Sequence, residues 1–232
     1  MMPKAALVLI LAVAFAAAPL LTDGFAGYDP SQFPVRIEEP PVQPAGYAFS
    51  IWGPIYLWLI ASAAFGLLRR ADDPDWDATR LPLAASLAAG VPWIAVAVAS
   101  PIWATVLIWI MWAAAVWALF RTPQKDLWLL RAPVGLYAGW LTAASCVSLG
   151  LLAGGYGLPP FGPGGWAMVA IAVALVLAVA VLRRRASLLF GAALVWALVA
   201  VVVRNGFDAV GLLALVGAVV IAGATLRRLS MT

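Results

Sequence analysis

The sequence predicts an all-α integral membrane protein of about eight spanning helices, and three observations lead there. Apolar residues make up 65% of the 232-residue chain and charged residues only 10%, with a mean hydropathy of +1.02. That leaves too little polar surface to cover a water-soluble domain. Apolar runs long enough to cross a hydrocarbon layer of about 30 Å recur at roughly 5–22, 50–68, 81–100, 101–120, 132–153, 166–182, 186–203 and 209–226. The third observation is the sidedness of the basic residues. If Lys4 is cytoplasmic and each run crosses once, then Arg69, Arg70, Arg80, Arg121, Lys125, Arg131, Arg183, Arg184, Arg185, Arg227 and Arg228 are cytoplasmic too, and only Arg36 and Arg204 lie outside. The split of 12 to 2 is the one the positive-inside rule requires, and it places both termini in the cytoplasm.

Taken in order, the first run, with Lys4 ahead of it and "AFAAAP" and "DGFAG" behind it, also fits a cleavable signal peptide, whose removal would leave seven spans. The reading adopted retains it. Residues 23–49 carry five prolines (Pro30, Pro34, Pro40, Pro41 and Pro44) and a slight acidic excess, which predicts an extended, rigid lid on the outer side. After the second span, "RRADDPDWDATR" (69–80) reads as a solvated, charge-balanced turn. Its alternating Asp73, Asp75 and Asp77 suggest a calcium loop, but the Gly and terminal Glu of such a loop are missing. Pro82 and Pro92 are expected to break the third span. The fourth and fifth spans are rich in aromatics, whereas spans six to eight consist of Ala, Val and Leu with only Trp166 and Trp196 and read as scaffold. Arg204 and Asp208, one turn apart where spans seven and eight meet the outer surface, suggest an interfacial ion pair.

The composition also excludes chemistry. With no histidine and a single cysteine, Cys146, the chain offers no His-ligated haem, no His general base, no Cys-based zinc site and no disulfide. No Asp, Glu, Lys or Arg lies well inside a span, where ion-coupled carriers place such groups. The net charge of +4 is not gathered on one polar face, so no nucleic-acid partner is expected.

What the interior does hold is tryptophan. Ten of the twelve fall between residues 44 and 153. Trp58, Trp103, Trp117, Trp128 and Trp166 lie near span ends, as interfacial belts require. Trp109, Trp112 and Trp140 do not; Trp140, nine residues past Arg131, sits roughly 13 Å into the apolar layer, where an indole N–H needs an acceptor or a ligand. Helical spacing aligns Trp109, Trp112, Val116, Trp117 and Phe120 on span four, and Tyr137, Trp140, Ala144 and Ser148 on span five. Helix packing alone would also produce such stripes. Gly135 and Gly139 form a GxxxG face on span five, which allows close approach of another helix and is expected to serve a homodimer.

At "PPVQPAGYAFSIWGPIYLWL" the sequence resembles the TspO family of translocator proteins, the tryptophan-rich sensory proteins or peripheral benzodiazepine receptor homologues. There a proline-rich outer loop passes through a Gly-aromatic-x-Phe element into a span with Trp and then Tyr four residues on, matched by Gly46, Tyr47, Phe49, Trp52 and Tyr56. "LYAGWLTAASCVSL" is similar to the family's fifth-helix pattern through Tyr137, Trp140 and Ala144, and Trp93 before a tryptophan-rich fourth helix is a weaker match. The resemblance covers about residues 44–153. It divides the chain into a five-helix core, 1–153, and a three-helix extension, 154–232. Departures are present: the family's third-helix Asn falls on Gly90, its fifth-helix Asn on Ser148, and Tyr47 replaces a loop Trp.

The resemblance implies binding of flat apolar ligands, porphyrins or sterols, in a cleft under the first outer loop, with a sensory role in tetrapyrrole handling at a bacterial inner membrane. No cofactor is required on this reading, and porphyrin or haem enters as ligand. The candidate binding residues are Tyr47, Phe49, Trp52, Tyr56, Trp93, Trp109, Trp112, Tyr137, Trp140, Ala144 and Ser148; no acid, base or nucleophile stands out for catalysis. A carrier for hydrophobic metabolites and an assembly subunit of a membrane complex are the alternatives, although the Gly- or Pro-broken helix pairs of an inverted-repeat carrier are not evident.

Overall fold

The computed structural model describes residues 1–22 and 27–231. It is all-helical, with no strand among the described residues, and eight of its helical stretches are long and apolar enough to span a membrane. The α-helices are α1 (Met2–Ala17), α2 (Trp52–Arg69), α3 (Pro74–Gly90), α4 (Trp93–Ala99), α5 (Pro101–Arg121), α6 (Ala132–Gly155), α7 (Pro163–Arg184), α8 (Leu188–Asn205) and α9 (Ala209–Leu229). The short α4 continues the third span beyond a break.

Helix α6 is the axis of the molecule. Of its membrane-crossing stretch 78% is buried, against 28–44% for the other seven, because α2 and α5 pack on one side of it and α7 and α8 on the other. Where α6 meets α8 the reason is Gly135 and Gly139. A Cβ on Gly135 would land on the Ser187 hydroxyl, and one on Gly139 on the Phe190 carbonyl. Only glycine allows that approach. The face expected to join two copies is therefore filled by α8 of the same chain and closed to a second molecule.

The third span departs from expectation at its inner end. Residues 74–80 are helix, not turn: the Asp73 carboxylate accepts from the N–H groups of Asp75 and Trp76, and Pro74 occupies the first helical position, where its missing N–H costs nothing. Trp76, read as part of a solvated turn, is buried and donates its indole N–H to Asp126 at 2.9 Å. Arg80 is buried as well; it donates to the carbonyls of Gly66, Arg70 and Ala71 at the end of α2 and pairs with Asp77. Of the two prolines, Pro82 is carried inside α3, and the break comes at Val91–Pro92.

Asp126, in the left-handed region at φ 53°, starts a wide helical turn (Leu127–Arg131) that leads into α6. Its carboxylate accepts from Arg70 Nε at 2.8 Å as well as from Trp76, tying together the adjoining ends of α2, α3 and α6. At the outer end of α8 the expected Arg204–Asp208 pair does not form: Asp208 caps α9 by accepting from Gly211 N at 2.8 Å, and Arg204 Nε is buried without a partner.

The described part of the proline-rich segment lies across the outer ends of the helices. Gln32 donates its side-chain amide to the carbonyls of Ala97 and Val98, Val35 N to Gly155 O, and Ala45 N to Ala200 O. Those bonds pin it to α4, α6 and α8. Residues 23–26 of the expected lid lie outside the described residues.

Candidate ligand-binding site

Under that strap the helices part to leave a cavity of about 80 Å³. One wall is aromatic: Phe49 from the Gly46–Ile51 3₁₀ turn, Trp52 from α2, Trp93 from α4 and Trp140 from α6. Phe49 and Trp52 both meet the Trp140 indole edge to face, at centroid distances of 6.0 and 6.1 Å. Such contacts fix ring orientation beyond what area burial alone would do. The opposite wall is smooth and aliphatic, built from Ala170 and Ala174 of α7 and Leu194, Ala197 and Leu198 of α8. Ala144, Val147 and Ser148 form the floor along α6, and Tyr28, Val42, Gln43 and Pro44 of the strap form the roof.

Of the sequence-predicted residues, Phe49, Trp52, Trp93, Trp140, Ala144 and Ser148 line this cavity. Five do not. Tyr47 is half exposed and turns outward, packing edge to face on Trp196 at 5.3 Å, because Trp196 Nε1 is anchored on the Ala48 carbonyl. Tyr56 stacks on Trp52 at 5.3 Å and meets Phe15 of α1, so it supports the wall from behind. Tyr137 is fully buried one turn nearer the basic end of α6. Ser86 Oγ gives its only proton to the Met111 carbonyl at 2.7 Å, so the Tyr137 hydroxyl must donate to Ser86 Oγ across 2.9 Å. Trp112 donates to Thr142 Oγ1 at 3.0 Å, which locks α5 to α6, and Trp109 packs on Trp112. The stripe on span four is thus largely helix packing, and the aromatic wall comes from elsewhere.

Polar groups in the cavity are few. Ser148 hydrogen-bonds Thr105, and Tyr28 of the strap lines the same cavity. Burial pushes the Tyr28 phenol above its ordinary value. The hydroxyl cluster stands where the family pattern has a fifth-helix Asn. At the third-helix position, Gly90 leaves room for the Phe15 ring, which takes the space a side chain would need. The Trp93 indole is satisfied by Ala104 O at 3.0 Å, whereas Trp140 and Trp109 each keep a buried N–H without an acceptor. An unpaired buried donor is costly and rare.

Tyr28, Val42, Gln43, Ile108, Cys146 and the α7 and α8 residues were not among the sequence candidates. For α7 the signal was present: Ala167, Ala170, Ala174 and Ala178 recur at spacings of three and four and are all buried, the pattern of a small-residue packing face. Spans six and seven are walls of the cavity as well as scaffold, so it straddles the 153/154 boundary.

Fold and cavity together define a polytopic α-helical membrane protein with an aromatic-lined apolar chamber closed by an outer strap. Residues 5–227 match the family model of the TSPO-like protein, and the chain belongs to that family. The match runs through all eight long helices, the last three included. Membership makes it a membrane protein of the ligand-binding or sensing kind. No curated protein and no solved structure matches it.

Proposed function

We propose that this protein is a membrane sensor that binds a flat, apolar ligand of porphyrin or sterol type between the aromatic wall and the α7–α8 wall, beneath the strap. The observation that carries this reading is the pairing of the two walls. Indole and phenyl faces oppose a surface of alanine and leucine side chains, and the few polar groups gather at Tyr28, Gln43 and Ser148. Small-molecule sites share that make-up, an apolar cleft with a few placed hydrogen-bonding groups. Basic residues concentrated on the side of the termini support a cytoplasmic placement of both ends in a bacterial inner membrane.

Size ranks the ligands. The closed cavity measures about 80 Å³. Drug-sized pockets run to about 300–1,000 Å³. A sterol-sized ligand therefore requires the strap to lift, and a porphyrin macrocycle requires a wider opening still. Tryptophan quenching of detergent-purified protein by protoporphyrin, haem and a sterol tests the proposal. Saturable binding with a Trp140-dependent amplitude is the expected result. Linear, unsaturable quenching that is identical in Trp140→Leu would overturn it.

A further inference from the structure

The side of the molecule that carries both termini is divided by charge. In its N-terminal half four of the five aspartates are matched: Lys4 meets Asp77 at 2.7 Å, Arg70 meets Asp126 at 2.8 Å, and Lys125 meets Asp73 and Asp75 at 2.8 Å each. In the other half there is nothing to match, because the sequence has no Asp or Glu between Asp126 and Asp208 and none after it. Arg121, Arg131, Arg185 and Arg227 make no ion pair within 4.0 Å among the described residues.

Two of these arginines converge. Arg131 Nε and Arg185 Nη2 both donate to the one Thr122 hydroxyl, at 3.2 and 3.4 Å. Arg131 spends its remaining nitrogens on the neutral oxygens of Gln124 and Pro123, and Arg185 Nε is buried with no partner. Burial lowers the Arg185 pKa from its ordinary value, as an uncompensated cation requires. Two guanidinium groups sharing a neutral acceptor repel each other unless an anion joins them. Beside them opens a crevice of about 150 Å³, lined by Leu127, Trp128, Leu188, Leu189 and Leu229 together with Arg131 and Ser187. Arg185 directly precedes the lining residue Ala186. Ser187 caps α8 through Phe190 N, so the first backbone N–H groups of that helix also face this end.

We propose that this crevice binds the phosphodiester headgroup of an anionic phospholipid, with Arg131 and Arg185 holding the phosphate and the leucines and Trp128 taking the start of the acyl chains. The apolar lining selects a lipid over a free phosphate, and the absence of carboxylates selects an anionic lipid over a zwitterionic one. The site lies at the opposite end of α6 from the aromatic cavity and does not depend on what that cavity binds. Its consequence is that an anionic bilayer is a ligand that joins the starts of α6 and α8.

The test uses the delipidated full chain in a neutral detergent, titrated with dioctanoyl phosphatidylglycerol, dioctanoyl phosphatidylcholine and glycerol phosphate, with adducts read by native mass spectrometry. Phosphatidylglycerol should bind one to one. The R131Q/R185Q variant should weaken it by about 30-fold, taking roughly fivefold per arginine near a membrane surface, while R69Q on the same side should change it less than about twofold. Equal binding of the two lipids, or unchanged binding in the double variant, overturns the site. Glycerol phosphate binding as tightly as the lipid overturns the lipid assignment and makes it a soluble phosphate site. Should the double variant fail to fold, a measurement on the intact protein decides: brominated phosphatidylglycerol should quench tryptophan fluorescence more than brominated phosphatidylcholine at equal mole fraction, with the difference lost in W128F. Equal quenching by the two brominated lipids overturns the proposal.

Discussion

At its basic end α6 meets α8 backbone to side chain, with Gly135 and Gly139 against Ser187 and Phe190; about two turns further out, the same two helices face each other across a chamber. The difference lies in what each turn of α6 presents. Glycine lets the partner close up, and the Trp140 indole one residue later holds other elements away at ring thickness. Close contact at one end and a chamber at the other are therefore both set by which residues α6 turns toward α8. Lone alanines along α7 and α8 keep the opened end smooth instead of filling it.

The sharpest way to break this comparison is to add one methyl group at the closed end. Gly139→Ala should cost about 1–3 kcal/mol, since the obstructing atom is a backbone carbonyl that cannot swing aside. Gly223→Ala on α9, where nothing lies within 4 Å of the added carbon, should instead stabilise by about 0.5–1 kcal/mol. Thermal unfolding in one detergent reads both, and shifts of the same sign would contradict the close contact at Gly139.

At the open end Trp140→Leu should weaken binding of a flat ligand by about 1–3 kcal/mol, the cost of losing a packed aromatic face. Equilibrium quenching by protoporphyrin measures this, and a loss confined to Tyr47→Leu, whose ring packs away from the chamber, would move the site outward. Ala197→Leu tests the aliphatic wall. Filling that side should lower affinity about tenfold, or about 1.4 kcal/mol, with the melting temperature unchanged or raised. Unaltered affinity would return α8 to a scaffold role.

The smallest expected effect concerns the knot that starts α6. The hydrogen bond from Arg70 holds the Asp126 carboxyl below its usual range, so the fold favours its ionised form. That contribution is present above the ordinary carboxylate range and is lost as the pH falls through the lowered value. Melting temperature should therefore drop on acidification below about pH 4. Asp126→Asn keeps a residue tolerant of the left-handed backbone and should flatten that dependence at a cost under about 1 kcal/mol, as befits a screened pair. An equally steep acid profile in the variant would show that other carboxylates carry it.

How much of this was legible depended on the range of the interaction. The eight spans could be read because crossing a bilayer requires about 20 apolar residues in a row, a local property. Trp140 could be found because tryptophan deep in a span is unusual, and Trp52 and Trp93 because they match the family's helix patterns. The first turns of α3 were missed because Asp73, Pro74 and Trp76 look like surface chemistry until Asp126, fifty residues from Trp76, supplies the indole's partner. GxxxG announced a close helix contact, but the expectation that a second copy would fill it met Ser187 and Phe190 of the same chain, which the motif cannot distinguish from a partner's helix.

The sequence by itself determined that the chain is a membrane protein with eight spanning helices, that it has no histidine to use and too few cysteines for a disulfide or a Cys-based zinc site, and that most of its tryptophan lies in the first five spans. Hydropathy, composition and charge sidedness are properties of the chain alone, so they survive without knowledge of any contact. Tertiary structure alone decided that α8 occupies the glycine face, that Tyr137 and Trp112 serve packing while Trp140 faces a chamber, and that two arginines fifty-four positions apart share one threonine. A spanning segment is marked along its length, but the side it turns to its neighbours is fixed only when several helices pack at once. In a bilayer almost any apolar face is an acceptable outside.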